Sequence, residues 1–230
     1  MLTVDALDVS IKSVRILRGV GLHVAEGQLV GLIGRNGAGK TTLMRSIMGI
    51  LAPSAGTILL DGKPLAGIPA HRRSRMGIGY MPEDRRIVPQ LTVQENVLLP
   101  SWAAGDPSGR ARLERIFEMI PEVRALADRR GLQLSGGQQK LVALARALLA
   151  GTKVLLLDEP FEGVAPVLAR RLAEVVALLK REGLAVLLAE SDLTHARELL
   201  DAVFHIDRGA VALAGSGEPA PAADRTGGTP

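Results

Sequence analysis

The sequence predicts an α/β fold: a mostly parallel sheet core, an antiparallel β subdomain near the N-terminus and a helical lobe inserted mid-chain. Three observations lead there. Leu2–Val9 alternates apolar and polar residues, as a half-buried strand does. Short apolar runs at Gln28–Ile33, Val154–Leu157, Leu184–Ala189 and Val203–Asp207 have the length of buried strands and alternate with helical patterns. Between Asp84 and Ala150 the pattern is helical, with no convincing strand. The 230 residues are read as one domain over 1–215. Within it, 1–83 and 151–215 form the core and β subdomain, and 84–150 the helical lobe. Residues 216–230, rich in Gly, Pro and Ala, read as a disordered tail.

Taken in order, Leu2–Val9 and Val20–Val24 are strands of the small sheet. Gln28–Ile33 is a buried strand running at once into a Gly-rich turn and a helix that reaches about Met48. Gly56–Leu60 and Lys63–Leu65 form a hairpin, because Asp61-Gly62 supplies the positive φ of a two-residue turn. Pro69 opens a short basic helix, and Ile78–Met81 is another strand. In the lobe, Thr92 and Glu95 make a capping box. Arg110–Ile120 gathers Leu113, Ile116, Phe117 and Ile120 on one helical face. Ser135 caps a helix running to Ala150, with Gln138 in the reciprocal place. Pro166–Arg181 is a crossover helix among the returning strands. There is no internal repeat.

Composition narrows the classes. The longest apolar runs fall far short of the roughly 20 residues that cross a bilayer. Met1-Leu-Thr-Val-Asp5 has no basic segment leading into an apolar one, so no secretory signal is expected. Without cysteine there is no disulfide framework and no thiolate metal site. Cytosolic residence fits all of this. The net charge of +4 comes from 28 basic and 24 acidic residues, and the arginines fall in scattered pairs rather than along one element. Aromatics are only 2%, so no rings are set out for stacking bases, and no nucleic-acid partner is expected.

Gly34-Arg-Asn36-Gly37-Ala38-Gly39-Lys40-Thr41 matches G-x-x-x-x-G-K-[ST] between a predicted strand and a predicted helix. Phosphate oxygens need a ring of backbone N–H donors, so the chain must curl tightly, which favours Gly34, Gly37 and Gly39. The helix start adds its positive dipole end. Lys40 places charge on the β- and γ-phosphates, and Thr41 can ligand Mg²⁺; Asn36, Ala38 and Thr42 belong to the same nucleotide-binding stretch. Val154-Leu-Leu-Leu-Asp158-Glu159 then supplies two carboxylates at a strand end: Asp158 for Mg²⁺ through a water, Glu159 to orient or deprotonate the attacking water.

Leu134-Ser135-Gly136-Gly137-Gln138, read alone, is a helix cap with flexible glycines. Between the Gly-rich loop and Asp158-Glu159 it resembles the signature motif of ABC ATPases, a likeness covering about Leu2 to Gly215. The chain is similar in particular to the ATPase subunits of branched-chain amino acid (LIV-type) uptake systems. Met81-Pro-Glu83-Asp84-Arg85-Arg86-Ile-Val-Pro89, running on to Glu95-Asn96, and Gly163-Val-Ala-Pro166 carry that closer similarity. The resemblance implies a P-loop NTPase using ATP and Mg²⁺. It implies a dimer in which the partner presents Ser135, Gly136, Gly137 and Gln138 to the γ-phosphate. Glu83 would stand at the loop that senses the γ-phosphate and Mg²⁺, and Arg85–Glu95 would dock a transmembrane permease. The second ATPase subunit would be another copy or a paralogue, an external solute-binding protein would act indirectly, and the chain would sit peripherally on the cytoplasmic face of the plasma membrane.

Three departures qualify the family pattern. Near Ile11, where the family usually stacks an aromatic on adenine, the sequence reads Val9-Ser10-Ile11-Lys12. An aliphatic contact would be less selective, so GTP would be tolerated unless adenine stacks elsewhere. Ser191 stands at the switch-histidine position, able to bond a phosphate oxygen but without charge, while His195, one helical turn further on, reads as a surface helix residue more readily than as a substitute for it. Phe161 replaces a common Ser, either packing at the partner interface or joining the core. Tyr80 reads as core, and Trp102 as a docking contact or a loop anchor. The implied function is an ATP-hydrolysing importer subunit powering uptake of branched-chain or other small amino acids. One alternative is a regulatory half of a heterodimer with weak hydrolysis, which Ser191 keeps open. The other, an ABC ATPase acting on ribosomes or DNA, sits badly with one Gly-rich loop in 230 residues.

Overall fold

The computed structural model describes residues 1–214, so the predicted tail lies outside the described residues. The antiparallel sheet has the order β2-β1-β4-β5, from β1 (Leu2–Ile11), β2 (Val14–Val24), β4 (Ala55–Leu60) and β5 (Lys63–Pro64). β2 begins six residues before the predicted Val20. Register shifts between β1 and β2 break the two-residue alternation there, which hid the first half of the strand from a periodicity argument.

The second sheet has the order β10-β9-β3-β8-β7-β6, from β3 (Leu29–Ile33), β6 (Ile78–Met81), β7 (Val154–Asp158), β8 (Ala185–Glu190), β9 (Ala202–Asp207) and β10 (Ala210–Leu213). Every pair is parallel except β9 with β10. β10 was not foreseen, because Ala-Val-Ala-Leu is too short and too uniform to show a period. The helices are α1 (Lys40–Ile47), α2 (Ala70–Arg75), α3 (Val93–Ala104), α4 (Gly109–Met119), α5 (Pro121–Arg124), α6 (Gly136–Ala150) and α7 (Pro166–Arg181). Both expected capping boxes are present, at Thr92–Glu95 and Ser135–Gln138. In 84–150 the described residues hold helices and a single isolated bridge, Thr92 with Arg130, and no strand.

The parallel strands are buried on both faces, and their alternation splits the interior in two. Leu155 and Leu157 of β7, with Val186 and Leu188 of β8, join α7 and the helical lobe in one core. Val154, Leu156, Ala185 and Leu187 join α1 and the antiparallel sheet in the other. The register sets Ile33 beside Glu190 and Asp158 beside Ala189, so β3, β7 and β8 end together. Ligands of open parallel sheets bind at this carboxyl edge. Here it gathers Gly34, Glu159 and Ser191.

Candidate active site

Steric limits shape the Gly34–Thr41 loop. A Cβ on Gly34 would lie 2.3 Å from the Ile206 carbonyl oxygen, and Gly39 holds φ 116 as N-cap of α1, a region essentially closed to other residues. No side chain caps α1, so its first-turn N–H groups are left for an anion. Lys40 is 5% exposed. Its ammonium donates to the Gly34 carbonyl and, at 3.2 Å, to that of Arg35, and it pairs with Glu159 Oε1 at 2.9 Å. A buried cation and an uncapped helix start thus occupy one spot. Asn36 and Gly37 are exposed, Ala38 is buried, and Thr41 and Thr42 are half-buried.

The carboxylates differ in state. Asp158 is fully buried and accepts hydrogen bonds from Thr41 Oγ1 at 3.2 Å and Tyr80 Oη at 3.1 Å. Burial pushes its pKa up to about 6 against those two bonds, with Glu83 and Glu159 adding to the rise. Glu159 lies below the ordinary range: burial raises it, but the Lys40 ammonium, the Glu190 carboxyl and the Ser191 N–H together outweigh burial. Ser191 offers both its N–H and its hydroxyl to Glu159 Oε2, each at 3.2 Å. Glu190 is also buried, its pKa pushed up to about 8 by burial and by Glu159, against the N–H of Phe161 and the charge of Lys140.

The structure therefore brings Gly34–Thr42, Asp158, Glu159 and Ser191 together, with exposed Glu83 close enough to act on Asp158. Ser135–Gln138 stand apart at the start of α6. Gly136 borders a cleft of about 400 Å³ with Glu83–Arg85 and Glu162–Val164, and the Gly-rich loop does not line it. His195 is exposed and lies in a turn rather than in the helix expected for it; its ring meets that of Phe161 at 5.8 Å. Phe161 is buried in the chain's own core. Trp102 is exposed on α3.

Three residues escaped the sequence reading. Tyr80, taken as core, turns its hydroxyl onto Asp158, a contact that follows from its pairing with Leu156 across β6 and β7. Glu190 ends a strand that looked purely apolar. Lys140 falls on the buried stripe of α6 with Leu144 and Leu148, and a charge on an apolar stripe was the available signal.

An uncapped helix start beside a buried lysine suits polyphosphate, and strand-end carboxylates at the same spot can direct water onto it. Fold and site together define a P-loop nucleoside triphosphatase. The family follows from comparison: the ABC transporter family model matches residues 17–162, and the chain belongs to that family. Over 217 residues it is 32% identical to the high-affinity branched-chain amino acid transport ATP-binding protein BraG of Pseudomonas aeruginosa, covering 94% of this chain and 93% of that protein. Over 210 residues it is 35% identical to the lipopolysaccharide export system ATP-binding protein LptB of Escherichia coli, covering 90% and 87%. A solved dimeric structure of a bacterial ABC transporter cassette superposes with TM-score 0.82 at 25% identity, covering 92% of this chain and 96% of that one. The chain is an ATP-binding, ATP-hydrolysing subunit of a transporter, of a class whose cassettes dimerise and pair with transmembrane subunits. Among the described residues no helix is long and apolar enough to cross a membrane.

Proposed function

We propose that this chain powers uptake of branched-chain or other small amino acids, as a Mg²⁺-dependent ATPase on the cytoplasmic face of a membrane permease fed by an external solute-binding protein. The observation that carries its catalytic part is the junction of Lys40, Glu159 and Ser191 at the foot of the uncapped α1. Gly34–Thr42 hold the triphosphate through main-chain N–H groups, with Lys40 on the β- and γ-phosphates. Glu159, kept ionised by its neighbours, accepts a proton from the attacking water, and the Ser191 hydroxyl holds that carboxylate in place. Thr41 and Asp158 meet at 3.2 Å and offer the oxygen donors a small hard cation takes, with phosphate oxygens and water completing its shell. Asp158, buried with the charges of Glu83 and Glu159 near it, fits that role, and Glu83 approaches the same place. Mg²⁺ bound there would neutralise phosphate charge. Ser135, Gly136, Gly137 and Gln138 serve the partner subunit's nucleotide, since they lie off this chain's own Gly-rich loop.

The import reading follows BraG, which matches more of the chain; LptB, slightly more identical, favours export instead. Hydrolysis of Mg-ATP across a range of protein concentrations tests the catalytic part, with Glu159→Gln as control. Activity per molecule is expected to rise with concentration and to fall by about 10²–10⁴-fold in the control. ATP binding without hydrolysis at any concentration would turn the reading to a regulatory half of a heterodimer. The transported class is tested on the complex with its membrane subunits. Stimulation by leucine with a solute-binding protein supports import, and stimulation by lipopolysaccharide overturns it.

A further inference from the structure

Lys140 lies one turn into α6, the helix whose start carries Ser135–Gln138. Only 5% of it is exposed. Its ammonium donates to the main-chain carbonyls of Glu159 at 2.8 Å and Pro160 at 3.2 Å, and to that of Glu162. All three protons are thereby spent on one turn of chain, the turn that starts at Glu159. Burial draws the Lys140 pKa down, opposed by the charges of Glu190 and Glu162. A buried ammonium costs free energy that a methionine on the same stripe would not, so what it holds is the reason to look at it.

The turn it holds is under constraint. Glu159 adopts φ 52, which a residue with a side chain keeps only where its surroundings impose it. The Glu159 N–H donates to the Ala189 carbonyl at 2.9 Å, and the Phe161 N–H to Glu190 Oε1 at 2.9 Å. Those bonds tie the turn to β8. Lys140 alone among these contacts ties it to α6. A cleft lined by Gly136, Lys140 and Glu162 opens beside the two segments, so this ammonium is the polar link between them, alongside the apolar packing of buried Phe161 in the core that α6 shares.

We propose that Lys140 is a positioning residue for hydrolysis, fastening the turn that carries Glu159 to the helix whose start serves the partner's nucleotide. One side chain then joins the carboxylate of one site to the phosphate-facing helix start of the other, and the two move as one body. Occupancy of one site is transmitted to the other through this tether, which strengthens the cooperativity of hydrolysis in ATP. The second half of this proposal rests on the dimer reading of Ser135–Gln138 above; the tether itself does not.

The test uses the full chain with Lys140→Met and Lys140→Arg, reading amide hydrogen exchange and steady-state hydrolysis. In Lys140→Met, exchange over Phe161–Gly163 is expected to quicken, and kcat to fall, by about tenfold to a hundredfold, as for loss of bonds from a charged donor. The ATP KM and the exchange of Gly34–Thr42 should stay within about twofold, and the Hill coefficient should drop towards one. Lys140→Arg should restore most of the rate and protection. If Lys140→Met does not fold, Lys140→Gln, which keeps donors without the reach or the charge, carries the same expectation. Unchanged exchange over Phe161–Gly163 would overturn the tether, and so would a KM rising in step with the fall in kcat. Failure of the dimer reading looks different: Ser135→Ala would then leave hydrolysis untouched at every protein concentration while the exchange result stood.

Discussion

Two helix starts in this molecule are read as facing phosphate, and they are built in opposite ways. α1 begins at a glycine in the left-handed region with no side-chain cap and a buried lysine as its first residue. α6 begins at Ser135, whose hydroxyl accepts from the Gln138 N–H at 3.3 Å while Gln138 Oε1 accepts from the Ser135 N–H at 2.9 Å. The first leaves its donors unspent inside the chain, where a ligand must complete them. The second satisfies part of its own requirement and stays exposed at Ser135 and Gly136. Such a terminus is stable before any nucleotide arrives and is still open to a neighbour. The difference is that between a pocket that binds and a surface that is presented.

Of the changes that test this contrast, removing the pocket's cation should have the largest effect. Lys40→Met deletes the cation that faces Glu159 at 2.9 Å and the loop carbonyls, so ATP affinity should fall by at least about tenfold to a hundredfold. Equilibrium binding of a fluorescent ATP analogue measures this. Affinity unchanged in Lys40→Met would mean that α1 and the glycines suffice by themselves, and the contrast between the two helix starts would lose its charged half.

How much of this was legible depended on how local the cause was. α7 was placed at both ends because Pro166 fixes its first turn, and both capping boxes were readable because their partners stand three residues apart. The Gly-rich loop and Asp158-Glu159 were readable for the same reason: each is a short stretch whose chemistry is written in adjacent residues. Tyr80 on Asp158, Glu190 beside Glu159 and Lys140 under the Glu159 turn were not. Each depends on strand register or helix phase bringing together residues some 20 to 80 positions apart, as the bonds at separations of 19 and 78 show. Ser191 lay between these cases, since its position was foreseen but its two bonds to Glu159 were not.

The charges around the pocket also set a pH dependence of stability. Glu190 has an ordinary pKa near 4.5 when unfolded and is raised to about 8 in the fold, chiefly by burial. Between those values the folded chain keeps a proton that the unfolded chain has lost, so stability is greatest below the unfolded pKa and declines as pH rises through this window. Asp158, raised to about 6, acts in the same direction at lower pH. Glu190→Gln retains an acceptor for the Phe161 N–H and a donor towards Glu159, but cannot ionise. Its melting temperature should therefore fall less than that of the unaltered chain between about pH 6 and about pH 8. Equal slopes would show that Glu190 is already ionised in the fold, with Lys140 as its counter-charge.

The smallest effect is expected at the presented helix start, and it divides the two constructions most cleanly. Ser135→Ala removes the cap hydroxyl but leaves the Ser135 N–H bond to Gln138 in place, because that bond uses the main chain. Loss of such a cap costs about 1 kcal/mol, which in a chain of this size lowers the melting temperature by about 2–4 °C. ATP binding to the dilute chain should not change, since Ser135 caps α6 and bonds Gln138 rather than the Gly-rich loop, and hydrolysis should fall several-fold only where protein concentration lets subunits meet. Ser135→Thr keeps the hydroxyl and should recover both properties. Melting curves together with concentration-dependent hydrolysis make the check. A weaker ATP affinity in the dilute Ser135→Ala chain would mean that α6 completes its own subunit's site, and the two helix starts would then be parts of one pocket.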